Sequence, residues 1–281
     1  MTSALATRVV TAIVLVAAAL SALFLLPPPG WGVVVLLIVV TGAYEWARLI
    51  GFDARGRRFF VAVTLLAGAA LLWIMVGRTW TPGVVIVACG AATVFWILAG
   101  IPSVLTRWQP ASPVALAIAG FIVLLGAFVA IVALQAHSPW LALAAMATVW
   151  IADTAAYFAG HRYGRRKLAP RISPGKTWEG ACGGVAAVAV YALALLPLAA
   201  RAGFAGPIDA ASIALWIAFS VALAALSIVG DLYESLLKRR AGVKDSGALL
   251  PGHGGVLDRT DALLAAMPPV ALAAMAFLTR P

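Results

Sequence analysis

PVALAIAGFIVLLGAFVAIVALQ, residues 113–135, contains no charge, and its one amide side chain, Gln135, stands at the very end. A helix rises about 1.5 Å per residue, so a run of this length spans a hydrocarbon core of about 30 Å. A helix apolar on every side has no face to turn toward water. The stretch therefore reads as a membrane-crossing helix. Eight further apolar runs lie on either side of it, at 9–26, 31–50, 59–77, 83–101, 139–160, 181–200, 208–229 and 262–278. The expectation is an all-α, polytopic integral membrane protein with about nine transmembrane helices. Residues 1–281 form a single membrane domain: helices in 1–135, then a part over 136–281 with polar loops at 161–180 and 230–261.

Composition supports this class. Apolar residues make up 64% of the chain and charged residues 11%, against roughly 45–50% and about 25% in soluble domains. The net charge of +10 lacks the dense basic patches with exposed aromatics of a nucleic-acid module, so no nucleic-acid partner is expected. Cys89 and Cys182 lie in apolar segments and form neither a disulfide framework nor a metal-ligand pattern. No internal repeat is evident, which disfavours a transporter built from two related halves. Arg8 and the run 9–26 resemble a signal peptide, but Pro27-Pro28-Pro29-Gly30 follows where a small-residue cleavage site would be needed. The run reads as a retained first span.

Nine spans put the termini on opposite sides of the bilayer, and the basic residues then sort cleanly. Seventeen of the twenty fall on one side and only Arg78, Arg201 and Arg280 on the other. The positive-inside rule makes the first side cytoplasmic, with the N-terminus and both long loops, and leaves the C-terminus outside.

Polar chemistry concentrates in those two loops. If the eighth span continues as a helix past the membrane edge, Asp231, Glu234, Ser235 and Lys238 share one face at i, i+3, i+4 and i+7. Asp258 and Asp261 share a face at the start of the last span. Each group has a plain structural reading as well: a solvated helix end with i,i+4 charge support, and carboxylates favoured at a helix N-terminus. Carboxylates interleaved with cations also suit Mg²⁺, which bridges one or two carboxylates to substrate phosphates, while Lys and Arg hold the remaining oxygens. His253, between glycines, reads as a turn or phosphate contact. Upstream, Arg162, Arg165, Arg166, Lys167 and Arg171 form a basic cluster that suits topology and anionic lipid. Gly175-Lys176-Thr177 is not a P-loop, because Pro170 stands where its first glycine belongs and no parallel-sheet strand precedes it. Ser173, Lys176 and Thr177 remain as phosphate contacts on a turn. Asp153 lies inside a span, where an ionised group requires a polar cavity or a cation.

These segments resemble the phosphatidate cytidylyltransferase (CDP-diacylglycerol synthase) family. The stretch SLLKRRAGVKDSGALLPGHGGVLDRTD, residues 235–261, is similar to its signature, and ISPGKTWEG at 172–180 and DTAAYF at 153–158 add to the likeness. His161 departs mildly from it, and the first five spans match only in general character. The resemblance implies transfer of the cytidylyl group of CTP to phosphatidic acid, giving CDP-diacylglycerol and pyrophosphate at a bacterial inner membrane. It implies a homodimer, membrane lipids as partners, and Mg²⁺ with K⁺ as an optional second ion. Carried onto this chain, the metal carboxylates are Asp231 and Asp258, with Asp153 and Asp261 close by. Lys244, Asp245 and Arg259 become catalytic candidates, and Ser173, Lys176, Thr177, Lys238, Arg239 and His253 substrate contacts. A CTP-dependent polyprenol kinase is the nearest enzymatic alternative, and a cation-coupled transporter using Asp153 a more distant one.

Overall fold

A computed structural model describes residues 2–77, 81–201, 209–249, 252 and 254–278, with side chains from residue 13 onward except residue 15. His253 lies outside the described residues, as do Arg78 and Arg280. The elements run α1 (Thr2–Leu25), α2 (Pro28–Leu49), α3 (Ala54–Met75), α4 (Pro82–Phe95), a π-helical turn (Trp96–Gly100), α5 (Ile101–Thr106), α6 (Pro113–His137), α7 (Pro139–Tyr163), β1 (Lys167–Ala169), β2 (Ser173–Thr177), α8 (Trp178–Arg201), α9 (Ala210–Arg240) and α10 (Leu257–Leu278).

Among the described residues, eight helices are long and apolar enough to cross a membrane, with Pro82–Thr106 counted as one. They coincide with the second to ninth expected spans. The first expected span falls on α1, where the apolar helix Val16–Leu25 is described. Starts follow local chemistry. Pro occupies the first turn of α2, α4, α6 and α7, where its missing N–H is no loss. Asp53 caps α3 through the Gly56 N–H at 2.7 Å. Asp209 caps α9 through Ser212, and that bond holds its carboxyl below the ordinary range.

The run that opened the sequence reading, α6, lies at the centre. Leu116, Val123, Leu124, Phe128 and Leu134 are fully enclosed, and α2, α3, α4, α7 and α10 pack around it. Since lipid is as apolar as leucine, close packing replaces the hydrophobic drive between helices. At the α7–α8 contact Gly180, Gly183 and Gly184 face Ala152, Ala156, Ala159 and Gly160.

Two expectations change. Among the described residues the strands form one antiparallel hairpin, with Lys167 opposite Thr177 and Ala169 opposite Ser173. Ser173, Lys176 and Thr177 therefore stand on a strand rather than on a turn. About half of the 230–261 segment is helical as well: α9 continues to Arg240 and α10 begins at Leu257. The described residues between the two helices, 241–249, 252 and 254–256, belong to the 241–256 connection.

Candidate active site

The apolar part of α9 runs unbroken into GDLYESLLKRR, residues 230–240. The helical period then brings Asp231, Glu234, Ser235 and Lys238 to one side. The Ser235 hydroxyl donates to Asp231 Oδ1 at 3.4 Å, and the Lys238 ammonium donates to Glu234 one turn back. Lys238 also donates to Asp258 Oδ1 at 2.7 Å, joining α9 to α10. The side chains of Lys238, Glu234 and Asp258 are 12%, 3% and 9% exposed. At that burial the pairing acts in a low-dielectric setting and cannot be exchanged freely for water.

Asp258 is held on both edges. Its Oδ2 accepts the Ser246 N–H at 2.9 Å and the Gly255 N–H at 2.8 Å, and lies 3.0 Å from Ser246 Oγ. Its carboxylate thus shapes the 241–256 loop as well as facing Lys238. Asp261, one turn further along α10, is buried and accepts the Ala262 N–H at 2.8 Å. Gly230 sits where α9 meets α10. A Cβ there would approach the Asp261 carbonyl oxygen to 2.6 Å, so a side chain at 230 would push the two carboxylate-bearing segments apart.

The hairpin supplies the second cation. Lys176 on β2 pairs with Asp231 Oδ2 at 2.6 Å. Three contacts hold the hairpin in place. The Glu179 carboxylate accepts the Arg165 N–H at 3.0 Å and the Arg166 N–H at 3.2 Å. Thr177 Oγ1 accepts the Gly180 N–H at 3.1 Å, and Arg239 Nε donates to the Ile172 carbonyl at 3.0 Å. Thr177 is buried, so its hydroxyl caps α8; the structure uses it for positioning, where sequence reasoning expected a phosphate contact. Arg239 is likewise partly engaged in holding the hairpin, beside the half-buried Ser173.

Asp153 on α7 has Lys176 and Asp231 as its electrostatic neighbours, and Asp261 has Asp231, Glu234 and Lys176. Asp153 is exposed in the isolated chain, so the described residues do not cover it. Lys244 and Asp245 are exposed on the 241–256 loop, and Arg259 is exposed in the first turn of α10. The structure thus gathers Lys176, Asp231, Lys238, Asp258 and Asp261 with Asp153 at their margin. Lys244 and Asp245 precede Ser246 on the loop, and Arg259 follows Asp258 in the chain.

Five carboxylates (Asp153, Asp231, Glu234, Asp258, Asp261) surround two ammonium groups, and one buried oxygen, Glu234 Oε1, has no hydrogen-bond partner. The ligand set is all hard oxygen, as Mg²⁺ prefers. Among the described residues no three acidic, His or Cys groups converge as a metal cluster. The fit is therefore to an ion held by one or two carboxylates, with water and substrate phosphates completing its shell.

Two residues escaped the sequence reading. Glu45 on α2 is 4% exposed and accepts the Val256 N–H at 3.0 Å and the Leu257 N–H at 2.8 Å. Ser246 Oγ lies between Glu45 Oε2 at 2.8 Å and Asp258 Oδ2 at 3.0 Å. The signal for Glu45 was available, since it is an ionisable group inside an apolar run, as Asp153 is.

Comparison with known proteins gives a consistent result. The model of a family described as the cytidylyltransferase family matches residues 6–277. The phosphatidate cytidylyltransferase of Pseudomonas aeruginosa is 39% identical over 279 residues, 94% of each chain. That of Haemophilus influenzae is 47% identical over 132 residues, 47% of this chain and 44% of its own. That of Thermotoga maritima is 41% identical over 127 residues, 45% of this chain and 46% of its own.

Proposed function

This chain belongs to the cytidylyltransferase family, and from that premise we propose how its site carries out the reaction. It is an enzyme of phospholipid synthesis: it transfers the cytidylyl group of CTP to phosphatidic acid, giving CDP-diacylglycerol and pyrophosphate. The observation that carries the assignment of the site is the linked set Lys176–Asp231 and Glu234–Lys238–Asp258, drawn from β2, α9 and α10.

The acceptor is already a phosphate anion and needs no strong base. Its oxygen forms a new bond to the α-phosphorus of CTP, while the bond from that phosphorus to the α–β bridging oxygen breaks. Pyrophosphate leaves with the electron pair. The difficulty is bringing several anions together, so positioning and charge neutralisation dominate. Lys176 and Lys238 supply fixed positive charge amid the carboxylates, and Lys244 and Arg259 supply it from exposed positions. Arg239 and Ser173 face the same phosphates from the hairpin side. Asp231 and Asp258, with Asp153 and Asp261 beside them, would hold Mg²⁺, and K⁺ would add charge at the same carboxylates. Mg²⁺ would contribute neutralisation of phosphate charge and polarisation of the phosphoryl oxygens. His253 and Asp245 complete the loop's contribution.

The chain is a multi-pass membrane protein. The distribution of its cations supports a cytoplasmic site and N-terminus with an external C-terminus. A homodimer belongs to the same reading. Asp153, exposed on α7 yet within a span, supports a second surface or a water-filled cavity over that face.

The decisive assay uses purified protein, phosphatidic acid, Mg²⁺ and CTP labelled at the α or the γ phosphate. The α label should enter the lipid and the γ label should leave as pyrophosphate, with EDTA stopping the reaction and added Mg²⁺ restoring it. Transfer of the γ label to lipid would instead make the protein a CTP-dependent kinase. Orientation is tested separately. With Cys182, the exposed native thiol, replaced by Ser, an Ala241→Cys variant should react with an impermeant thiol reagent only from the cytoplasmic side. Labelling from outside would reverse the topology.

A further inference from the structure

A set of buried polar contacts near the site comes from α2, a helix that carries none of the charged groups assigned to substrate or metal. Near its end, α2 carries Glu45, Trp46 and Arg48. Glu45 accepts the N–H groups of Val256 and Leu257, the entry to α10, and lies 2.8 Å from Ser246 Oγ. Arg48 Nη2 donates to the Ser246 carbonyl oxygen. Ser246, gripped at its hydroxyl and its carbonyl, presents its N–H to Asp258 Oδ2 at 2.9 Å. Trp46 stacks on Tyr233 of α9, ring centroids 6.1 Å apart, and donates its indole N–H to the Leu116 carbonyl at 2.9 Å.

The fit around Glu45 is close. A Cβ on Gly255 would lie 2.2 Å from Ser246 Oγ and 2.5 Å from Glu45 Oε2, so the loop passes the carboxylate only because 255 has no side chain. A carboxylate so deep is stable because it meets the positive end of α10 and two backbone donors. The Ser246 hydroxyl has a single proton and two carboxylate oxygens within 3.0 Å. Glu45 and Asp258 therefore share one donor.

We propose that Glu45 is a positioning residue for cytidylyl transfer, acting through Ser246 and the first turn of α10 to hold Asp258 in the orientation that leaves Oδ1 to Lys238 and the substrate side. This rests on the proposed role of Asp258. The role of Glu45 involves no contact with substrate. It fixes a carboxylate that must meet developing phosphate charge, and loss of such a supporting partner typically lowers activity about 10–100-fold.

Glu45→Gln is nearly isosteric, but it lacks the charge and turns one acceptor into a donor facing Ser246 or the backbone N–H groups. The test compares wild type, Glu45→Gln, Ser246→Ala and, as a control, Asp53→Ala, which removes a side-chain cap at the start of α3 without touching the site. Three quantities are read on the folded, detergent-purified fraction: kcat, KM for CTP, and amide hydrogen exchange over 246–258. Both Glu45→Gln and Ser246→Ala should lower kcat by about 10–100-fold while KM moves by no more than about threefold. Exchange over 246–258 should rise in both. The double variant should lose little more than Glu45→Gln alone, since the two act on one network. Asp53→Ala should lower the melting temperature without changing kcat per folded molecule. A Glu45→Gln enzyme with wild-type kcat, or exchange over 246–258 unchanged, would overturn the proposal. A wild-type protein unable to label the lipid overturns the reaction assignment itself, which separates the two failures.

Discussion

Replacing Asp231 with asparagine is expected to lower CTP-dependent lipid labelling by about 10²–10³-fold, the scale seen when one preorganised electrostatic partner is removed from an active site. The change keeps the shape of the side chain and removes its charge. Two consequences then combine: Lys176 loses the partner that holds its ammonium at 2.6 Å, and the carboxylate group loses a member proposed to bind cations. The structural consequence should be small by comparison. The side chains of Lys176 and Asp231 are 24% and 30% exposed, and a pair open to that degree contributes about 1 kcal/mol or less. The variant should therefore insert, purify and melt like the wild type. Wild-type labelling in Asp231→Asn would remove Asp231 from the metal site and Lys176 from its position beside the substrate.

Lys238→Met should show the opposite balance, losing stability as well as activity. Its ammonium joins Glu234 to Asp258, and the three side chains are 12% exposed or less. Removing one member of a buried ion network typically destabilises by about 3–5 kcal/mol, because the charges left behind cannot recover their water. Melting in detergent should fall well below that of Asp231→Asn, and lipid labelling should disappear. Adding Glu234→Gln to Lys238→Met should recover part of the stability by removing one stranded carboxylate, while leaving the enzyme inactive. If Lys238→Met melted like wild type, the ion network would have to be open to water, and the burial argument would fail.

These two variants separate what was legible in the sequence from what was not. The shared face of Asp231, Glu234, Ser235 and Lys238 follows from helical spacing alone, and α9 does run on to Arg240. The cross-chain pairings do not follow. Lys176 could be read as a phosphate contact from its neighbours, but nothing local says that a hairpin will deliver it to Asp231. Thr177 was read the same way, and its burial makes it a helix cap instead. The hairpin itself was missed because its strands are short and the second contains Pro174 and Gly175, residues that favour turns when seen in isolation. Glu45 was overlooked for a different reason. Its partners lie more than two hundred positions away, and one carboxylate in an apolar run carries no spacing that points to them.

The long apolar runs that began with residues 113–135 were enough to determine the class of the protein. In lipid a backbone must satisfy its own hydrogen bonds, so an apolar run of that length has only a helix open to it. Local spacing likewise determined which residues share a face of α9 and which carboxylates open α10. Only the tertiary structure decided which charges meet. Ion pairing and capping are set by distances of about 3 Å between elements far apart in the chain, and no periodicity encodes those distances. Hence the one-sided charge visible in the sequence becomes, in the folded chain, two cations set among five carboxylates, with a buried glutamate from α2 bracing the turn that holds one of them.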